Sequence, residues 1–88
     1  MEYTQKEYSD QIQYLLVFEY NEKTYRRPIF SDNQLEKASI ATRIKHAETN
    51  AKSLLKLERQ LVPGSTISHI RLYDKDGNML AYKDKYTE

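Results

Sequence analysis

Apolar and polar side chains alternate over residues 11–20, where Ile12, Tyr20 and every second residue between them are apolar or aromatic. A period of two predicts a β-strand. Leu15 and Val17 add apolar side chains to the opposite face of the same stretch. A strand that is apolar on both faces is typical of the middle of a sheet.

Three further stretches predict strands. A turn at 21–23 leads into residues 24–30. Pro28 has no amide proton to donate, so this second strand either lies at a sheet edge or ends early there. Residues 66–73 and 78–83 form a second hairpin, because Gly77 between them supplies the positive φ that a tight turn needs. In this hairpin we expect Ile70, Leu72, Leu80 and Tyr82 to point inward.

Residues 31–62 contain neither proline nor glycine and predict one long helix. Ser31 with Gln34, or Asn33 with Glu36, could form a capping box at its start. At about 100° per residue the apolar side chains share one arc. They are Ile40, Ile44, Ala47, Ala51, Leu54, Leu55, Leu61 and Val62.

The predicted helix is too long for the predicted sheet. About 30 helical residues span roughly 45 Å, whereas a strand of about eight residues spans roughly 27 Å. Either the helix breaks near Thr49 and Asn50, where helix propensity is lowest, or its end projects and packs on a second chain.

The order of elements predicts an α+β fold, β-β-α-β-β, with two β-hairpins in one four-stranded sheet and a single long helix packed across one face. The 88 residues predict a single domain, 1–88. Residues 1–10 are expected to be an N-terminal arm, and 84–88 a charged C-terminal tail.

Composition narrows the functional classes. With no cysteine, disulfide frameworks and zinc fingers are excluded. No apolar run is long enough for a signal peptide or a membrane span, so we expect a cytoplasmic protein without a membrane partner. The net charge of +1 gives little general attraction to polyanions.

Residues that could carry chemistry do not form recognisable motifs. His46 and His69 lie on different predicted elements, and neither is near a set of metal ligands in the sequence. Asp74 and Asp76 resemble part of a calcium loop, but with Gly77 at its sixth position the loop would lack its first and last ligands. We therefore predict no catalytic residues, no metal, no cofactor and no enzymatic activity.

Two groups of residues are candidates for binding a partner. One is a basic stripe on the helix, opposite the apolar arc, formed by Lys45, Lys52, Lys56 and Arg59. The other combines aromatic and basic residues of the predicted strands: Tyr25, Arg26, Arg27, Tyr73, Tyr82 and Lys83. Glu58 falls within the apolar arc, so it must reach solvent or meet a cation such as Arg26, Arg27 or Arg71.

The hypothesis that these features favour is a small non-catalytic protein-binding module. Compact chains rich in Lys and Tyr and without Cys are typical of phage and mobile-element proteins, so an inhibitor or regulator that occupies a host protein, for example a defence protein, is one concrete form. A homodimer is a second form. The alternative is a nucleic-acid-binding protein that uses the basic stripe and the Tyr, Lys and Arg residues of the strands.

Overall fold

A computed structural model describes residues 11–87, which form one antiparallel sheet with a helix packed on one of its faces. The strand order is β2-β1-β3-β4. The elements are β1 (Ile12–Tyr20), β2 (Lys23–Ser31), a short 3₁₀ helix (Leu35–Lys37), α1 (Ile40–Leu57), β3 (Thr66–Tyr73) and β4 (Met79–Thr87). The predicted α+β class and β-β-α-β-β order are confirmed. The predicted arm, 1–10, lies outside the described residues.

The structure confirms where the two strands of the first hairpin lie in the sheet. β1 pairs with β2 and with β3, so it lies inside the sheet, and β2, which carries Pro28, is an edge strand. Only Asn21 and Glu22 separate these strands, and both have positive φ, 53° and 65°. This is the backbone of a two-residue turn whose twist suits a hairpin.

The helix is shorter than predicted, because the first nine predicted residues, 31–39, lie outside α1. Ser31 ends β2, and the cap is Ser39, whose Oγ accepts a hydrogen bond from the Thr42 amide at 3.2 Å. The capping boxes predicted further upstream are therefore wrong. Leu35 explains the difference: it is fully buried in the core, a position that it reaches from a 3₁₀ turn before the chain starts α1.

The other end of α1 is also earlier than predicted. Arg59 adopts a left-handed conformation with φ 57°. The Arg59 amide donates to the Lys56 carbonyl at 3.0 Å and the Gln60 amide to the Leu55 carbonyl at 2.8 Å. These two bonds form a Schellman motif, which normally uses glycine at the left-handed position.

The shorter helix removes the predicted length mismatch. α1 has 18 residues, or about 27 Å, and the nine-residue strands reach about 30 Å. The helix passes through Thr49 and Asn50 without a break. Neither the predicted break nor the predicted overhang is needed.

The core lies between α1 and one face of the sheet. On the helix side it contains Ala47, Ala51 and Leu55, each at most 1% exposed. The strands and the 3₁₀ helix add Tyr14, Leu16, Phe18, Tyr20, Tyr25, Ile29, Leu35, Ile67, Ile70, Leu72, Leu80 and Ala81. The two alanines let the helix backbone approach the sheet closely.

Two tyrosines of β1 fix the loops at the two ends of α1. The Tyr14 hydroxyl accepts from the Leu35 amide at 2.9 Å and donates to Glu36 Oε1 at 2.8 Å. Burial raises the pKa of Tyr14 above its usual value. The Tyr20 hydroxyl accepts from the Val62 amide at 2.9 Å and lies 2.9 Å from Ser65 Oγ.

β4 differs from the prediction in register and in length. Leu72 pairs with Ala81 and Tyr73 with Met79, so Leu80 is an extra residue. This shift turns Tyr82 to the outside, where it is 46% exposed, and the inward position predicted for it is wrong. The strand continues to Thr87, so residues 84–87 belong to the sheet rather than to a tail.

Candidate functional site

The face of the sheet that lies opposite α1, called the open face below, carries two rows of side chains that cross all four strands. Strand pairing defines each row, because paired residues point to the same face. The arginine row consists of Arg26, Val17, Arg71 and Tyr82. The apolar row next to it consists of Pro28, Leu15, Tyr73 and Met79.

Val17 forms the floor of the arginine row. It is 2% exposed but does not belong to the core cluster under the helix. Its strand partners on the two sides are Arg26 and Arg71, and the aliphatic stems of such residues readily cover apolar surface. The row therefore presents two guanidinium groups around an apolar centre.

Arg71 is held in place by its neighbours on the open face. Its Nε donates to the His69 carbonyl at 3.0 Å, and its Nη2 lies 3.7 Å from Glu19 Oε2. The Arg71 side chain is 27% exposed. A guanidinium group fixed in this way still presents donors to a carboxylate that approaches from solvent.

The apolar row leaves large side chains uncovered by α1. Met79 is 53% exposed, and Phe30, one pleat further along β2 from Pro28, is 49% exposed. Leu15 and Tyr73 are half-buried. Part of the two rows, namely Leu15, Val17, Arg26, Arg71 and Tyr73, lines a shallow concavity of about 520 Å³. Its size and openness suit protruding side chains of a protein better than an enclosed small molecule.

A β-bulge shapes the end of the arginine row. His69 has φ 50° in the middle of β3, where the register with β1 shifts. Bulges re-aim side chains and are frequent beside functional sites. His69 Nδ1 lies 3.1 Å from the Tyr82 hydroxyl and 3.9 Å from Asp84 Oδ1. Both partners meet the same ring nitrogen, whereas a catalytic relay needs them on opposite nitrogens.

The β3–β4 turn forms the rim of the concavity. Asp74 accepts hydrogen bonds from the amides of Asp76 at 2.9 Å and Asn78 at 2.8 Å, and from the Asn78 side chain at 3.0 Å. These bonds, with the Asn78 side chain as the largest contribution, lower the pKa of Asp74 below its usual value. The rim is therefore a well-defined turn.

Three of the predicted binding residues have partners within the fold. Tyr25 is 7% exposed and stacks on Phe18 with ring centroids 5.0 Å apart. Arg27 donates from Nε and Nη2 to the two carboxylate oxygens of Glu58, at 2.9 and 3.1 Å. Hydrogen bonding to that carboxylate raises the pKa of Arg27. Lys83 Nζ lies 3.6 Å from Glu48 Oε2.

Of the two alternatives predicted for Glu58, both are found: its side chain is 35% exposed near the helix end, and it pairs with Arg27. The guanidinium of Arg27 also lies 5.3 Å from the centre of the Tyr25 ring. Tyr25, Arg27 and Glu58 therefore connect β2 to the end of α1.

The predicted surface divides between opposite sides of the molecule. Arg26, Tyr73 and Tyr82 lie on the open face, whereas the basic stripe lies on the outer side of α1. Of the stripe residues, Lys45, Lys56 and Arg59 are exposed and Lys52 is half-buried. One flat contact cannot reach both groups.

The sequence analysis missed several residues of the open face as site candidates: Leu15, Val17, Phe30, Arg71 and Met79. A signal was present, because the sequence predicts that β1 is apolar on both faces and predicts one long helix, which can cover only one of them. The pairing across strands, which brings Arg26 and Arg71 to the two sides of Val17, is not visible in the sequence.

Comparisons of the chain with protein-family models, with curated proteins and with solved structures found no match. Within residues 11–87, no helix combines the length and the apolarity required to cross a bilayer. Within the same range, no group of three or more His, Asp or Glu side chains is placed to hold a metal ion. We therefore infer function from the two surfaces described above.

Proposed function

We propose that this protein is a small non-catalytic binding module whose open face is occupied by another protein. The observation that supports this proposal is the apolar row beside the arginine row. A single helix covers one side of the sheet, and the other side presents large apolar and aromatic side chains to solvent.

The composition of the open face is that of a protein interface. Tyr, Phe, Met and Arg are enriched at such interfaces, and Tyr and Arg are frequent among the residues that dominate binding energy. Tyr73, Tyr82, Met79 and Arg26 supply these types on neighbouring strands. Val17 is already buried and has Arg26 and Arg71 as its strand partners, so a partner would meet a desolvated centre with a polar rim.

The charges of the open face define the chemistry of the partner. Arg26 and Arg71 flank Val17, so the complementary surface carries carboxylates around an apolar side chain. A second copy stacked through the arginine row would bring guanidinium groups together. This repulsion favours a different protein over a homodimer.

The composition described above also suggests which partners to test first. It is typical of small proteins from phages and mobile elements, so a host protein, for example a component of a defence system, is the first class. In this proposal the protein acts as a stoichiometric inhibitor or regulator by covering a surface of its host partner.

A matched pair of double variants tests the proposal. Arg26→Glu/Met79→Asp changes the open face, and Lys45→Glu/Ser53→Asp makes the same change of net charge on the outer side of α1. Tagged wild type and variants are used to capture partners from native host extract in roughly 0.3 M salt, where exposed charges are strongly screened. Thermal unfolding checks that each variant is folded.

We expect a protein that is retained in stoichiometric amount by the wild type and by the Lys45→Glu/Ser53→Asp variant. The open-face variant should lose at least about tenfold in affinity for that protein, which corresponds to 1.4 kcal/mol. Equal loss in both variants would contradict the proposal. So would a wild-type dimer, seen by sedimentation, that the open-face variant dissociates, because that result assigns the open face to a second copy.

A further inference from the structure

The outer side of α1 is a second surface, separate from the open face. Ala41 and Leu57 are exposed at its margins. The exposed side chains along its centre are Thr42, Lys45, Thr49, Ser53 and Lys56, and Arg59 follows in the turn that ends the helix. Every one of these side chains can donate a hydrogen bond. None is acidic and none is aromatic.

The acidic residues of the helix region are turned toward the sheet. Residues 40–59 contain Glu48 and Glu58 as their only acids. Glu48 pairs with Lys83 at 3.6 Å and its side chain is only 16% exposed. Glu58 pairs with Arg27 at 2.9 Å. The outer side of α1 is therefore basic in a molecule whose net charge is only +1.

The helix dipole does not explain this arrangement. A dipole favours acids in the first turn and cations in the last, but the first turn of α1 has no acid. Lys56 is in the last turn, where a cation is expected. Lys45 lies in the second turn, where the dipole gives no reason for one.

Phosphates fit this surface better than other anions do. Lys45 and Lys56 are about 16 Å apart along the helix axis at 1.5 Å per residue, so the row can follow several phosphates of one backbone. Thr49 and Ser53 lie between them and add neutral donors of the kind that contact phosphate oxygens.

The absence of Phe, Tyr and Trp from residues 40–59 distinguishes between nucleic-acid forms, and the one imidazole, His46, is half-buried and not among the exposed side chains of the outer side. Single strands are held largely by stacking of bases on aromatic rings, which this surface cannot provide. A membrane surface would require several apolar side chains to insert beside the cations. Between Lys45 and Lys56 the outer side carries the hydroxyl groups of Thr49 and Ser53, and the exposed Leu57 lies only at its margin. We propose that the outer side of α1 binds the phosphate backbone of double-stranded nucleic acid without reading its sequence.

Fluorescence anisotropy with a labelled duplex of about 20 base pairs tests this proposal over a salt titration. The logarithm of the binding constant should fall linearly with the logarithm of salt concentration, with a slope between about −2 and −4. Lys45→Gln or Lys56→Gln should each make the slope shallower by about 0.9, since each removes one phosphate contact.

A charge-matched pair of double variants separates a local site from bulk charge. Lys45→Glu/Lys56→Glu should weaken duplex binding at least about tenfold. Lys23→Glu/Lys85→Glu, which reverses two exposed lysines of the sheet, should weaken it by no more than about threefold. Met79→Ala, on the open face, should leave duplex binding unchanged, so this test is independent of the protein-binding proposal.

Four results would overturn the proposal. These are no binding at low salt, equal losses in the two charge-reversed pairs, tighter binding to a single strand than to the duplex, and binding to anionic phospholipid vesicles that exceeds binding to the duplex. The last result would assign the same surface to a membrane.

Discussion

The two faces of β1 have opposite roles, although their side chains alternate along one strand. Leu16 and Phe18 point toward α1 and are fully buried. Leu15, between Tyr14 and Leu16, points to the open face and is half-buried. One helix of 18 residues covers only one face of a four-stranded sheet. Within residues 11–87, no helix covers the apolar residues of the other face, and in our proposal a partner does.

The tyrosines show the same difference. Tyr14 and Tyr20, on the covered face, use their hydroxyl groups to hold the loops at the ends of α1. On the open face, Tyr82 is 46% exposed and Tyr73 is half-buried. Tyrosine content alone therefore does not identify a binding surface, because half of these rings serve the fold.

The strongest test of the difference uses two neighbouring leucines. Leu16→Ala should lower the free energy of unfolding by about 2–5 kcal/mol, because it leaves a cavity in the core. Leu15→Ala should lower it by about 1 kcal/mol or less, because this side chain is only partly removed from water. Urea unfolding measures both changes. Similar losses in the two variants would mean that the open face is already covered.

Removing a tyrosine hydroxyl group from each face should show a smaller difference in stability between the two faces. Tyr14→Phe should cost about 1–3 kcal/mol, because the buried amide of Leu35 loses its acceptor. Tyr82→Phe should change stability by no more than about 0.5 kcal/mol, because its partners are exposed. Thermal unfolding of both variants checks this prediction, and a large loss for Tyr82→Phe would show that the His69 cluster is structural.

Backbone strain can be compared between two residues with a left-handed conformation that lie on different sides of the molecule, Arg59 and His69. Arg59→Gly and His69→Gly should each raise the free energy of unfolding by about 0.5–1 kcal/mol, since glycine adopts positive φ without strain. Only His69→Gly should also weaken binding to the protein partner, because the His69 side chain lies beside the arginine row. Stabilisation is measured by urea unfolding and affinity by titration calorimetry. If the wild type and His69→Gly bind the partner with equal affinity, the His69 side chain does not belong to the binding site.

The smallest effect is a pH dependence at the rim of the open face. The pKa of Asp74 is lowered from 3.8 by its hydrogen bonds. The folded state therefore gains stability from this carboxylate above pH 3.8, and the gain is lost as the pH falls through the lower folded pKa. Asp74→Asn should flatten the fall in melting temperature over this acidic range. Asp76→Asn, in the same turn, is the matched control.

Much of the fold follows from local patterns. The alternation in residues 11–20, Pro28 in an edge strand and Gly77 in a turn each reflect one short-range constraint, and all three predictions are confirmed. The helix bounds are different in kind. A helical pattern continued upstream to Ser31, but tertiary burial of Leu35 and the cap at Ser39 moved the start of α1 to Ile40.

The candidate site was less predictable, because it depends on pairing between distant residues. Tyr25 and Lys83 have the composition of binding residues, but the first stacks in the core and the second pairs with the helix. The outward position of Tyr82 results from one extra residue, Leu80, in β4. A shift of one residue reverses the face of every following side chain, and no local pattern reveals it.

Site-specific photocrosslinking compares the two faces directly. A photoreactive phenylalanine derivative is placed at Tyr82 on the open face or at Ser53 on the outer side of α1, and the protein is mixed with the partner identified by capture. We predict that crosslinks to that protein form from position 82 and not from position 53. Crosslinks from position 53 alone would contradict the assignment of the open face as the protein-binding surface.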